Sequence, residues 1–291
     1  MCSTALIERD ISILLMVHQY GGVTCEHIGK RFWPNARSHT PCSEKVSALI
    51  KAGYLESRRL PALSGIGSGK AFLTPGPKAR PVLAKVLSLS RTELGRIRLE
   101  TPQFIAHHLA ICDFRLSLEM AVETSRIFNL ADWASDGELQ IKVKDPKTQK
   151  DLLLIPDASF TLALPDGTEQ TFLVEIDLGT LAPKRLRAKL RGYLARPEDL
   201  SPVLWVTVDE NRLDNIKRYA LEEAQDLGVD PTVFWITTKD KIQENTILSS
   251  PIWQIVGGPT IALNSLVPIP EVGQAASSLL GQITFAGGYL S

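Results

Sequence analysis

Apolar positions recur along this chain with two periods, and the change of period divides it. In the first eighty residues the period is mostly helical. Ile7, Ile11, Leu14 and Leu15 fall on one helical face. Gly21-Gly22 stops that helix, and Val23-Thr24 opens a second, with Thr24 as N-cap and Ile28 and Phe32 facing inward. Trp33-Pro34-Asn35 ends it. Thr40-Pro41 predicts a third start, a capping hydroxyl followed by a proline whose missing N–H costs nothing there. Val46, Leu49 and Ile50 supply its buried stripe, and Gly53 stands where a C-terminal glycine belongs. The period then shortens. Tyr54-Leu55 opens a strand, Ser64-Gly65-Ile66-Gly67-Ser68-Gly69 makes a glycine-rich tip, and Lys70-Ala71-Phe72-Leu73-Thr74 returns.

Three short helices and a glycine-tipped hairpin predict a winged helix-turn-helix whose third helix enters a major groove. The distribution of charge agrees with that prediction. The formal net charge is zero, yet residues 1–100 carry 15 Lys+Arg against 7 Asp+Glu, and the remainder 17 against 25. A basic front half implies a polyanionic partner, here double-stranded DNA. Arg37, Lys45, Lys51, Arg58, Arg59 and Lys70 are the candidate DNA-binding cations, while Ser43 and Ser47 are short enough to reach base edges. A winged helix used for protein contacts is the alternative. Cys25, His27, His39 and Cys42 are zinc-ligand types, but their spacing matches no common finger and the side chains of Cys25 and His27 diverge on a helix, which disfavours zinc.

Pro75, Pro77, Pro81 and Pro102 mark a connector with a helix inside it and a polar stretch from Ser90 to Glu100. Helical spacing resumes from Gln103 to Arg126, where Ile105, Leu109, Cys112, Leu116 and Met120 recur at three and four. His107 and His108 on this helix read as buried or interface residues in preference to functional ones. Strand character follows in Leu139–Val143, in Leu152–Ile155, and in Ser159–Leu164 and Thr171–Ile176, which flank the turn Pro165-Asp166-Gly167-Thr168. Then come a basic helix from Pro183 to about Arg196, a strand Val203–Val208, a helix Arg212–Leu227 closed by Gly228, and a strand Val233–Thr237. Alternation of this kind predicts a mixed sheet with helices packed on it. Trp253 and its apolar neighbours are expected to pack back onto that sheet, and the stretch with Gly281, Gly287 and Gly288 reads as a tail or an oligomer contact.

Candidate chemistry gathers at the strand ends. Pairing of the hairpin brings Asp157 near Glu175, and Glu175 and Asp177 share one strand face. Carboxylates so placed raise one another's pKa unless a cation neutralises them, and Mg²⁺ suits such a set. Asp157, Glu175 and Glu138 are the candidate metal ligands. The basic helix adds Lys184, Arg187 and Arg191 on one face and Arg185, Lys189 and Arg196 near another. The competing readings are acids that cap strands or pair with these arginines, and a helix that is simply solvated.

A helix, three strands bearing Pro156-Asp157 and then Glu175-Ile176-Asp177, a helix and a strand resemble the PD-(D/E)xK nuclease core. A fuller resemblance is to the replication-relaxation family of plasmids and other mobile elements. It rests on the winged helix, on His107-His108-Leu109-Ala110-Ile111-Cys112-Asp113-Phe114-Arg115, on Pro156-Asp157-Ala158, and on Glu175-Ile176-Asp177-Leu178-Gly179-Thr180 followed by Lys189 and Tyr193, over roughly residues 5–240. The resemblance implies an α+β chain: a winged helix-turn-helix (1–80), a linker (81–102), a restriction-endonuclease-like α/β domain (103–245) and a C-terminal extension (246–291). It implies a role in plasmid or mobile-element replication, relaxation or mobilisation, or in its regulation. Asp157, Glu175, Asp177 and Lys189 are the candidate catalytic residues. The lysine of active nucleases is Asp177 here, so a lysine displaced to 142, 184 or 189 replaces it or the fold is catalytically silent. A DNA-binding accessory without strong catalysis and a Mg-dependent endonuclease or nickase both stay open.

The four scattered cysteines, with no CxxC pair, fit a reducing compartment. No signal pattern opens the chain, and no apolar run approaches the roughly 18–20 residues of a membrane span. A cytoplasmic protein is expected. Homo-oligomers and replication or mobilisation proteins are its open partner classes.

Overall fold

The computed structural model describes residues 6–59, 71–90, 94, 101–135, 137–196 and 201–266. The glycine-rich tip with Lys70, most of the stretch Ser90 to Glu100, and the tail with Gly281, Gly287 and Gly288 lie outside them. The fold is mixed α+β, with seven α-helices among the described residues and a large mixed sheet.

The front of the chain holds α1 (Glu8–Gln19), β1 (Val23–Thr24), α2 (Cys25–Phe32), α3 (Thr40–Lys51), β2 (Leu55–Arg59), β3 (Ala71–Pro75) and α4 (Ala79–Leu87). β3 runs antiparallel between β1 and β2. Val23-Thr24 therefore does two jobs. It pairs with Leu73 and Phe72, and Thr24 then caps α2 by accepting the His27 N–H. The buried stripe of α1 is Asp10, Ile13, Leu14 and Val17, one step round from the expected one, and Ile7 is exposed. The i, i+3, i+4, i+7 spacing holds, but it admits a charged residue. Asp10 accepts the Ile7 N–H at 3.2 Å and faces Lys45 Nζ of α3 at 2.9 Å. α3 begins one residue earlier than expected: His39, not Thr40, is the N-cap, and Thr40 lies within the helix. Gly53 takes φ +82°, the left-handed conformation a helix-terminating glycine supplies.

α5 (Pro102–Ser125) joins front to back. Its Cys112 and Leu116 pack in the front core with Ile13, Val17, Val46 and Leu49, while Phe114, Leu118 and Val122 pack on the large sheet. His108 Nε2 donates to the Gly22 carbonyl at 3.0 Å, and Tyr20 donates to Glu119 at 2.6 Å across the same contact.

The large sheet has the order β12-β11-β10-β9-β8-β7-β4. β4 (Asn129–Ser135), β7 (Ala158–Ala163) and β8 (Glu169–Asp177) form an antiparallel meander, and β9 (Val203–Thr207) and β10 (Phe234–Thr238) continue parallel to β8. β11 (Trp253–Ile255) and β12 (Thr260–Ile261) complete it, and Trp253 is fully buried against the sheet as expected. The first strand of the meander is 129–135, not 139–143. β4 is an edge strand broken by a bulge between Leu130 and Asp132, so it lacks the regular alternation that marks a strand. The expected strands near 141 and 152 are instead β5 (Ile141–Lys144) and β6 (Asp151–Leu154), a separate two-stranded hairpin.

Alternation along β8 assigns its two faces. Phe172, Val174 and Ile176 face the core shared with α5. Leu173 and Glu175 face α6 (Pro183–Leu194), which packs beside α7 (Glu210–Leu227) through Leu186, Leu190, Tyr193, Leu213 and Ile216.

Candidate functional site

Four elements converge at the end of β8. The Asp157 N–H donates to Val174 O at 3.0 Å, and its carboxylate accepts the Ile176 N–H at 2.7 Å, which fixes Asp157 at the mouth of β7. On the α6 side, Glu175 is 2% exposed, and both its carboxylate oxygens are engaged: Tyr193 Oη donates to Oε1 and Lys189 Nζ to Oε2. Lys189 and Tyr193 stand four residues apart, hence on one side of α6. From the opposite face of the sheet, His107 of α5 reaches over the strand end. Its Nε2 lies 2.9 Å from the Ile176 carbonyl and 3.3 Å from Asp157 Oδ2. A carbonyl only accepts, so Nε2 carries the hydrogen.

The electrostatics follow from this burial. Burial pushes the Glu175 carboxyl up to about 8; Lys189 opposes the shift and the nearby Asp157 charge adds to it. Burial also acts to raise Asp157, but hydrogen bonding and charge from His107, with the Lys189 charge, outweigh it and hold that carboxyl below its ordinary value. Burial works against the charged forms of His107 and Lys189, yet the carboxylates beside them raise both. Tyr193 is raised by burial and by Glu175. The group is thus two carboxylates, a lysine and an imidazole sharing charge around a buried Glu175, with His107 and Lys189 partly open to solvent.

A replication-relaxation family model matches residues 14–197, more than half of the chain. The chain belongs to the replication-relaxation family. That membership points to a role in the replication or relaxation of plasmids or other mobile elements. No curated protein and no solved structure matches the chain. The region shared with the replication-relaxation family contains His107, Asp157, Glu175, Lys189 and Tyr193, all five members of the cluster.

The structure brings together three of the four candidate catalytic residues, Asp157, Glu175 and Lys189. Asp177, on the Glu175 face of the strand, turns to Arg212 of α7 at 2.6 Å and accepts the Gly179 N–H at 3.0 Å. Glu138, the third expected metal ligand, is exposed in the loop after β4. Among the described residues no three of His, Cys, Asp and Glu are grouped to hold a metal ion. Mg²⁺ does not fit the cluster as it is arranged. Both oxygens of Glu175 and Oδ2 of Asp157 already accept protein hydrogens, and Lys189 occupies the place a cation would take.

The basic helix is not simply solvated. Arg187 pairs with Glu222 and lies 2.7 Å from Glu223, and Arg191 reaches Asp145 at 3.0 Å and Glu223 at 3.2 Å. In the front half, Arg37, Lys51, Arg58 and Arg59 are exposed, as are Ser43 and Ser47. Lys45 is the exception, held by buried Asp10. On the sequence His107 reads as a buried or interface residue in preference to a functional one, and Tyr193 only as part of a family motif; the structure brings both into the cluster. Arg212, which lies beyond the matched region, carried no signal at all.

No helix among the described residues is long and apolar enough to cross a membrane.

Proposed function

We propose that this replication-relaxation protein binds double-stranded DNA through a winged helix-turn-helix made of α1, α2, α3 and the β2–β3 hairpin. On this reading it serves plasmid or mobile-element replication, relaxation or mobilisation without strong catalysis of its own. The observation that carries the reading is the outward side of α3 and β2. Val46 and Leu49 anchor α3 in the core while Ser43, Ser47 and Lys51 point away from it, and Arg58 and Arg59 continue the exposed surface on β2. Short hydroxyls on a helix with cations beside it suit base edges and flanking phosphates.

A second reading is favoured by the meeting of Asp157, Glu175 and Lys189. The order α5, β4, β7, β8, α6, β9 is compatible with a PD-(D/E)xK core whose lysine has moved to the helix, and hence with a metal-dependent endonuclease or nickase. The closed arrangement of the carboxylates argues for the first reading. Supercoiled plasmid incubated with the protein and Mg²⁺ or Mn²⁺, with and without chelator, separates the two. The expected result is plasmid retarded in a gel and still supercoiled after the protein is removed. Chelator-sensitive nicking that Asp157→Ala and Glu175→Ala both abolish would establish the second reading instead.

A further inference from the structure

Two of the cysteines that fail as zinc ligands are placed for different chemistry. Cys25 is the first residue of α2 and Cys42 lies in the first turn of α3. Their sulfurs are 3.5 Å apart, in contact and not bonded, and Cys42 Sγ lies 3.4 Å from the Cys25 carbonyl. The two thiols differ in access. Cys25 is half-buried, whereas Cys42 is 2% exposed. They also differ in acidity. Cys25 stands at the positive end of the α2 dipole, and its hydrogen bond with Cys42 draws it down to about 7 against the effect of burial. Cys42 is raised by the same hydrogen bond and by burial.

We propose that Cys25 and Cys42 form an oxidisable dithiol, in which a peroxide oxidises Cys25 and Cys42 then closes a disulfide that staples α2 to α3. The Cys25 thiolate attacks one peroxide oxygen, the O–O bond breaks, and the leaving hydroxide takes a proton to become water. The Cys25 sulfenic acid so formed is attacked by Cys42 sulfur, which loses its proton as the S–S bond forms, and a second water leaves. Two thiols and one hydrogen peroxide give one disulfide and two waters, and a small dithiol reductant reverses the bond. Closure brings the sulfurs from 3.5 Å to the bonded distance of about 2.05 Å. This step is small for side chains already in contact, and it links two helices through residues 17 apart in sequence. Cys112 provides an internal contrast: it is buried and lies close to the Tyr20 and Gly22 carbonyls at 3.6 and 3.7 Å.

The test uses the full chain, reduced and then treated with hydrogen peroxide near stoichiometric amounts, followed by a non-reducing peptide map. The expected product is a Cys25–Cys42 linked peptide pair, two hydrogens lighter and restored by dithiothreitol. Cys42→Ser should leave Cys25 as a sulfenic acid captured by a dimedone probe, and Cys25→Ser should leave Cys42 as an unreacted thiol. Cys25 and Cys42 both remaining thiols, or Cys25 joined to Cys2 or Cys112 instead, would overturn the proposal. So would Cys42 oxidising equally fast in Cys25→Ser. The map of the unaltered protein decides the question even where a serine variant folds poorly.

Discussion

The cations of the two halves of the chain are engaged in different ways. In the back half, Lys147, Arg187 and Arg191 surround the single buried carboxylate of Glu223, Lys189 is held by Glu175, and Arg212 by Asp177. In the front half Arg37, Lys51, Arg58 and Arg59 stand exposed, and the pairing of Lys45 with Asp10 is an internal tie. Both halves are rich in lysine and arginine. What separates these two sets is exposure: the four front-half cations stand on the surface, while Arg187, Lys189, Arg191 and Arg212 are partly buried beside carboxylates. A charge count along the sequence points to the front half, but it cannot say which of its cations are engaged inside the fold.

The largest expected effect breaks the back-half network. Glu175→Ala leaves Lys189 and Tyr193 without the buried carboxylate that both hold. It should lower unfolding free energy by about 3–5 kcal/mol, read as a shift of the denaturation midpoint. A loss below about 1 kcal/mol, as for an exposed pair, would mean that the site is open to water and the contrast between the halves is false.

Lys45→Ala sharpens the comparison from the other side. It strands the Asp10 carboxylate, which is 4% exposed, and should cost about 1–3 kcal/mol. As an internal tie, it should leave the salt dependence of DNA binding unchanged. A stability-neutral Lys45→Ala that weakens DNA binding would return Lys45 to the exposed set.

The effect of pH is smaller and has a definite sign. Glu175 is raised to about 8 and His107 is raised as well, so in the folded state both hold protons more tightly than in the unfolded chain. Stability from these two is fully present below their ordinary values and is lost as pH rises through the folded ones. Between about pH 5 and 8 the denaturation midpoint should therefore fall, and Glu175→Gln should make that fall shallower. Asp157, held low, acts in the opposite sense only at more acid pH. A fall no shallower in Glu175→Gln than in the unaltered protein would contradict the burial of Glu175.

Much of this arrangement was legible in the sequence wherever local chemistry decides. Gly53 and Gly228 end helices as read, Pro183 opens α6, and the turn at 165–168 fixes the β7–β8 register that carries Asp157 to Glu175. The rest depends on tertiary partners. Asp10 is buried because α3 brings it a lysine. β4 was missed because a bulged edge strand has no clear period. His107 joins the cluster only because α5 crosses the end of a strand 69 residues away, and Asp177 leaves it because α7 presents Arg212. The expected acidic triad therefore became two carboxylates closed by a lysine, a tyrosine and a histidine.

The central claim is that the exposed cations of the front half, and not the engaged ones of the back half, meet DNA. Its most direct test is the affinity for a double-stranded oligonucleotide measured against salt concentration, for the unaltered protein, for Arg58→Ala/Arg59→Ala, and for Arg187→Ala at a temperature where it stays folded. Each lost phosphate contact lowers the slope of log affinity against log salt by about 0.9. The account predicts a slope shallower by about 1–2 in the Arg58/Arg59 variant and an unchanged slope for Arg187→Ala. An unchanged slope in the first, or a flattened one in the second, would contradict it.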